Sequence, residues 1–494
     1  MTVRDDRGDV KQTTTGFRDP RHHICQKQIP IPIWILLFFI FLLGAARFIY
    51  ATSFKDNVSL FNPSHGIKSI INSVIIDYND IKFHNRRWGP VGVGIVVSGV
   101  KKFDPEVITK QEYKKWPQSS RKSYPSFAWR LAQFISYGIS IYFLLSLISD
   151  FKSHSQENKT HVWSIILIFV SFQSSAAIYD ITNAGGGMFT AFFIIAHFYF
   201  FCKKKYFFAS IFILIGIYFK LHPIVFAFPY FVFACFSKNH RKYIYYLFLV
   251  GSIIAIISYF IQGLIYGSLY PLSVIFNIGA DPFTSVPIRN QEVITIISLI
   301  YKIINGFQID NYIFIESRAI TFLTYLFLIL FIFSNILAGY ILSKFEYRWK
   351  NNDQLRLLYL FFFQVVIGFL YLIFSFDISI EHLLNSLISI YAPIFLFSAT
   401  IHKFNNFNNI KIIGFVIFYF IGLALVGGLL PISIVTMIIP FDLIDKLVGD
   451  HTSHIGSYGR FVWYHIPLLG LLIIALVTYF YSRYLLKFTK SKFP

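Results

Sequence analysis

Four short polar clusters stand out in a chain otherwise dominated by apolar residues. Asp56 comes soon after an apolar run, and Asp180-Ile-Thr-Asn183 is followed by Gly185, Gly186 and Gly187. Lys220-Leu-His-Pro223 separates two short apolar runs, and a turn from Asp377 to His382, with Glu381 beside His382, precedes another. These residue types share a chemistry. A carboxylate can take the proton of a hydroxyl as that oxygen attacks, and cations or N–H donors can hold a departing anion such as phosphate. Asp56 is the candidate base. Lys220, His382, Arg86 and Arg87 are candidates for the phosphate, with Asn183 and Glu381 as further substrate-binding groups. Asp77 and Asp80, in Asp-Tyr-Asn-Asp, are rival bases, and no metal or other cofactor is expected.

The elements that position these residues follow from composition. The 494 residues are 55% hydrophobic, 20% aromatic and only 14% charged, where a soluble chain carries about a quarter charged residues. Mean hydropathy is +0.59. The apolar residues come in long uncharged runs, and about 20 such residues cross a bilayer as a helix because a helix satisfies its own backbone in lipid. An all-α polytopic membrane protein is the expected class. Its net charge of +20 is explained by loops facing lipid headgroups rather than by nucleic acid. Cys25, Cys202 and Cys235 are scattered, with no metal spacing and no disulfide framework.

Charged punctuation predicts about twelve spans, near 31–50, 127–149, 162–178, 186–202, 206–219, 222–237, 243–263, 320–343, 357–375, 383–400, 411–431 and 462–482. The run at 31–50 follows a mostly polar stretch, 1–30, and precedes no small-residue cleavage site, so it is expected to be a permanent span. With the N-terminus cytosolic, the loops at 152–159, 203–205, 238–242, 344–356 and Lys403, and the tail at 485–494, all fall on the cytosolic side. Each is basic, as cytosolic loops are. Outer loops then run over 51–126, 264–319 and 432–461, within a transmembrane domain of 31–484. The apolar segment 88–100 is rich in Gly and Val and short for a span, so it is expected to be interfacial. The sequon Asn158-Lys159-Thr160 would be cytosolic and unused.

This topology puts all four polar clusters on the outer face. Singly, each has an ordinary explanation: a solvated Asp, a Gly triplet for helix packing, a snorkelling lysine, a solvated Glu-His turn. Ionisable groups at membrane depth are costly, however, and four on one face point to a site. In the first outer loop, 66–76 (GIKSIINSVII) has helical apolar spacing and is expected to lie flat on the membrane, as is 293–304. Lys82, Arg86 and Arg87 then sit near the lipid phosphates.

The arrangement resembles the GT-C glycosyltransferase fold, most closely glycosyltransferase family 87. The likeness rests on one span, an Asp soon after it, and a long outer loop with interfacial helices. Later come Asn183 in an outer turn, the basic loop at 203–205, Lys-x-x-Pro at Lys220 and Pro223, and Glu381-His382 before a span. The stretch from Asp180 to Phe236 also resembles the eukaryotic GPI mannosyltransferase I. The resemblance implies an inverting, metal-independent enzyme that takes polyprenyl-phosphate sugars, mannose or another hexose, with Asp56 as base and His382 at the donor phosphate. Its partners would be the donor, a lipid-linked or glycan acceptor and membrane lipids, in a bacterial inner membrane or, alternatively, the endoplasmic reticulum. Two competing readings are a transporter or flippase of lipid-linked sugars, which would show repeats and charges near the membrane midplane, and a polysaccharide polymerase or ligase. The latter would use a late outer loop such as that with His451, His454 and Arg460.

Overall fold

A computed structural model describes residues 124–150, 176–177, 180, 186–220, 222–266, 318–349, 353–374, 380–400, 410–426 and 466–490. All belong to the unit Gly44–Pro494; the unit Met1–Leu43 lies outside the described residues, as do the predicted first span and the outer loop at 51–123. The described residues are almost wholly helical, with no strand among them.

In chain order the helices are α1 (Tyr124–Asp150), α2 (Gly187–Cys202), α3 (Tyr206–Phe219), α4 (Pro223–Phe236), α5 (Arg241–Tyr266), α6 (Arg318–Phe345) and α7 (Asp353–Phe374). Then come α8 (Ala392–Thr400), α9 (Ile410–Val426) and α10 (Ile466–Lys490). Single 3₁₀ turns at Lys238–His240 and Glu346–Trp349 close the α4–α5 and α6–α7 corners. Helix ends coincide with the charged and Pro punctuation of the sequence. Lys203 to Lys205 end α2, Lys220 ends α3, and Pro223 sits at the first position of α4, where its missing N–H costs nothing.

Among the described residues, three segments are long and apolar enough to cross a membrane: Lys238–Ile257, Tyr325–Trp349 and Leu355–Phe374. Their surroundings fit that reading of composition. On α6 the row Tyr325, Ile329, Phe333, Leu337 and Ile341 is exposed, and on α5 so are Phe248, Ile253, Ile256 and Phe260. Such a continuous apolar surface would drive association in water, whereas lipid solvates it.

Close approaches at glycines hold the helices together. A Cβ on Gly422 would lie 2.8 Å from Ile474 Cγ1, and one on Gly470 would lie 2.7 Å from the Gly422 carbonyl oxygen, so α9 and α10 meet nearly backbone to backbone. Small residues at such a crossing are how helices pack without a hydrophobic drive between them. Gly368 on α7 likewise leaves no room for a Cβ against Ser389.

The predicted continuous span at 383–400 is instead broken. Ile380–Ser386 is a 3₁₀ segment, Leu387–Ile390 a single α turn, and α8 starts only at Ala392. Two features account for the break. Ser386 and Ser389 donate their hydroxyls to the α7 backbone, at Gly368 O (3.1 Å) and Val365 O (2.9 Å). Pro393, which cannot donate an N–H to the preceding turn, then fits only near the start of a new helix. A smaller difference lies at the other end of the chain. Helix α10 runs to Lys490, into the stretch 485–494 expected as tail.

Candidate functional site

Helices α2 and α3 form an antiparallel pair, as do α3 and α4, so the start of α2, the α3–α4 corner and the end of α7 meet at one end of the bundle. Phe189 near the start of α2 packs on Phe219 at the end of α3, ring centroids 5.3 Å apart. At this end a chain of hydrogen bonds runs across four elements. Thr190 Oγ1 on α2 lies 2.6 Å from Asn385 Oδ1 in the 3₁₀ segment. Asn385 Nδ2 donates to the Tyr371 hydroxyl on α7 at 3.1 Å, and that hydroxyl is 3.0 Å from His222 Nδ1 at the α3–α4 corner. Thr190, Asn385 and Tyr371 are buried and His222 is half-buried.

Lys220 stands two residues before His222 in extended backbone, and its side chain is 2% exposed. A lysine that snorkels to water would be far more open. Glu381 and His382 lie in the same 3₁₀ segment as Asn385. The structure therefore brings the Lys220 corner and the Glu381-His382 segment to the same end of the molecule. Asp56, Asp77, Asp80, Arg86, Arg87 and Asn183 lie outside the described residues.

Asp180 has a structural task. Its Oδ1 accepts the Gly187 N–H at 2.8 Å, and its Oδ2 accepts the Met188 N–H at 2.8 Å and Gln133 Nε2 at 3.0 Å. Fully buried, it caps the first turn of α2 from seven residues upstream and sets a negative charge on the positive end of that helix.

No protein-family model matches the chain, and no curated protein matches it.

The opposite end of the bundle is built from ions. Lys204 Nζ lies 3.4 Å from Asp353 Oδ1, Arg356 Nη1 3.2 Å from the same oxygen, and His240 Nδ1 3.5 Å from Glu346 Oε1. Ser237 Oγ is 2.7 Å from His240 Nδ1, and Asn239 Nδ2 donates to Glu346 Oε1 at 2.6 Å. Ser237, His240 and Glu346 look on paper like a nucleophile relay. Such a relay needs the serine and the acid on opposite ring nitrogens, and here both contact Nδ1. The cluster ties the α4–α5 corner to the α6–α7 corner and is no hydrolytic centre.

Between the ends lie two buried polar pairs, His197 Nε2 with the Tyr243 hydroxyl at 2.9 Å, and Tyr230 OH donating to Gln364 Oε1 at 2.8 Å. The described residues hold no group of three or more metal-binding side chains. Cys202 is buried and Cys235 exposed, and neither is in a disulfide.

The sequence reading missed the hydrogen-bond chain itself. His222 was visible inside Lys-Leu-His-Pro, and Asn385 stands four residues after Glu381, one helical turn on. Thr190 and Tyr371 carry no such signal, because each sits within an apolar helix.

Proposed function

We propose that this chain is a multi-pass membrane glycosyltransferase that moves a sugar, mannose or another hexose, from a polyprenyl-phosphate donor to a lipid-linked or glycan acceptor. The observation that carries the reading is the meeting of the α2 start, the Lys220–Pro223 corner and the Glu381-His382 segment at one end of an apolar helical bundle. A reaction on a lipid phosphate needs cations and donors there, at the depth where headgroups lie, beside helices that accept a polyprenyl chain. Resemblance of the sequence to the GT-C fold of about twelve spans, and to glycosyltransferase family 87, supplies the rest of the reading, including both termini in the cytosol and the site on the outer face.

The chemistry is a single displacement. The acceptor hydroxyl oxygen forms a bond to the anomeric carbon while its proton passes to Asp56. The bond from that carbon to the phosphate oxygen breaks, and the electron pair leaves with the polyprenyl phosphate, held by Lys220, His382, Arg86 and Arg87. The configuration at the anomeric carbon inverts.

Lipid-linked glycans measured by mass spectrometry test this in cells lacking the gene, complemented with wild type or Asp56→Asn at equal protein level. The expected result is a glycan one sugar short in the deletion, restored by wild type and not by the variant. Restoration by Asp56→Asn moves the base to Asp77 or Asp80. Glycans unchanged by the deletion end the transferase reading. A second reading, transport of a lipid-linked sugar, is favoured by one observation, the buried Tyr230–Gln364 pair midway along α4 and α7, since polar groups at that depth mark transport paths.

A further inference from the structure

The exposed row of α6 does not stop at its apolar residues. Phe333, Leu337, Tyr340, Ile341, Lys344 and Arg348 succeed one another at helical spacing along one face, and all are exposed. Arg348 stands on the 3₁₀ turn Glu346–Trp349, whose buried Trp349 anchors the corner. The row is apolar up to Ile341 and cationic from Lys344 onward. The rise from Phe333 to Lys344 is about 16 Å at about 1.5 Å per residue, close to half of a hydrocarbon core about 30 Å thick. The apolar part therefore matches one leaflet, and the cations stand at the depth of that leaflet's headgroups. Phe236 at the end of α4 packs on Tyr340, ring centroids 5.2 Å apart, and widens the apolar face beside them.

The two cations are held by neutral groups. Lys344 Nζ lies 5.0 Å from the centre of the Tyr340 ring. Arg348 Cζ lies 4.7 Å from that of Phe345 and 5.7 Å from that of Tyr347, and Arg348 Nε donates to the Tyr347 hydroxyl at 3.1 Å. Tyr359 is a further hydrogen-bond partner of Arg348. Glu346, between the two cations in sequence, is engaged instead by Asn239 Nδ2 at 2.6 Å and His240 Nδ1 at 3.5 Å. Among the described residues no carboxylate pairs with Lys344 or Arg348. The rings orient both charges without neutralising them. Tyr347, having accepted the Arg348 bond, still has its own proton to donate.

Two oriented cations and a hydroxyl donor at the end of an apolar face suit an amphiphile with an anionic head. We infer that this end of α6 binds an anionic phospholipid, its phosphate held by Lys344, Arg348 and the Tyr347 hydroxyl and one acyl chain laid along Ile341, Leu337 and Phe333. A zwitterionic lipid suits the surface less well, because its ammonium would meet the same two cations. The surface lies at the opposite end of the bundle from the Lys220–Pro223 corner and does not depend on the transferase reading.

The test uses the purified full chain in detergent, with affinity read from the rise in melting temperature on adding dioleoylphosphatidylglycerol, dioleoylphosphatidylcholine or inorganic phosphate. Wild type is expected to bind the phosphatidylglycerol about tenfold or more tightly than either control. The double variant Lys344→Gln with Arg348→Gln should bind it about thirtyfold more weakly, about fivefold for each cation at a lipid headgroup. Tyr347→Phe should lose about threefold. Lys205→Gln with Lys242→Gln removes the same charge near the starts of α3 and α5, away from this row, and should change affinity by less than about threefold. Equal losses in the two double variants overturn the inference, because the attraction is then diffuse. Equal stabilisation by the two lipids overturns it too, as does equal binding of inorganic phosphate. If the Lys344 and Arg348 double variant fails to fold, Lys344→Gln alone decides, and unchanged affinity there overturns the inference.

Discussion

Helix α2 is finished in two different ways. At its start the buried Asp180 carboxylate accepts the N–H groups of Gly187 and Met188. At its end Lys205 N–H bonds Phe200 O (2.9 Å), Lys204 N–H bonds Phe201 O (3.0 Å), and Arg356 Nη2 donates to Cys202 O at 3.1 Å. Each end receives the charge that the helix dipole favours. Beyond the caps the surroundings diverge. Around the end of α2, the exposed pair Lys204–Asp353 and the contact of buried His240 with half-buried Glu346 hold corners together. Around its start, a buried hydrogen-bond chain leads to a half-buried histidine. Ion pairs near water tolerate loss and rearrangement, but a hydrogen-bond chain in the core does not. The contrast teaches where substitution costs stability alone and where it costs function as well.

The largest break in this comparison is Asp180→Ala. It strands two backbone N–H groups in a buried setting and leaves Gln133 Nε2 with the backbone carbonyl at 180, 3.4 Å away, and the expected cost is about 3 kcal/mol or more. Thermal unfolding in detergent would show it as a drop of many degrees, with Asp180→Asn losing roughly half as much because one acceptor oxygen remains. A small effect for Asp180→Ala would mean that this end of α2 is open to water, contrary to its burial.

Next comes Asn385→Leu. Leucine fills a similar volume, but it removes one of the two hydrogen bonds of Thr190 Oγ1, which keeps Gly187 O, and the amide bond to the Tyr371 hydroxyl, which keeps His222, at about 1–2 kcal/mol in all. Sugar transfer should fall by far more than the amount of folded protein does. Glycan analysis beside a protein blot separates the two, and loss of activity in step with loss of protein would reduce the chain to mere packing. At the opposite end, Glu346→Ala should have the inverse profile. It removes the partner of Asn239 Nδ2 and of His240 for about 1 kcal/mol, while folded protein keeps its full activity per molecule.

Helix positions were legible in the sequence because apolar runs end at Lys203, Lys220 and Pro223, residues that either prefer the headgroup region or cannot continue a helix. The break at Tyr391 was hidden because its cause lies elsewhere: Ser386 and Ser389 spend their hydroxyls on the backbone of α7. Asp180 announced itself as a polar residue but not as a cap, since a capping side chain is sought next to the first turn and this one reaches it from seven residues away. The chain from Thr190 to His222 joins residues 195, 14 and 149 positions apart. No local period carries such a signal, and only the antiparallel packing of α2, α3, α4 and α7 brings the four together.

The smallest expected effect has an unexpected sign. Lys204 adopts φ 59°, the left-handed conformation that glycine takes most easily at this position of a helix-ending motif. For a residue with a Cβ that conformation costs about 1 kcal/mol. Its salt bridge to Asp353 joins side chains 57% and 77% exposed, and such pairs contribute about 0–0.5 kcal/mol. Asp353 also keeps Arg356 as a partner. Lys204→Gly loses the pair and relieves the backbone, and part of the gain is offset by the greater freedom of glycine in the unfolded chain. A net stabilisation of about 0.5 kcal/mol is expected. Lys204→Ala loses the pair without relieving the backbone, so it should melt slightly below wild type. The order Gly, wild type, Ala in melting temperature is the check. If both variants melt well below wild type, the ion pair holds this end of α2 more strongly than its backbone motif, and the contrast between the two ends narrows.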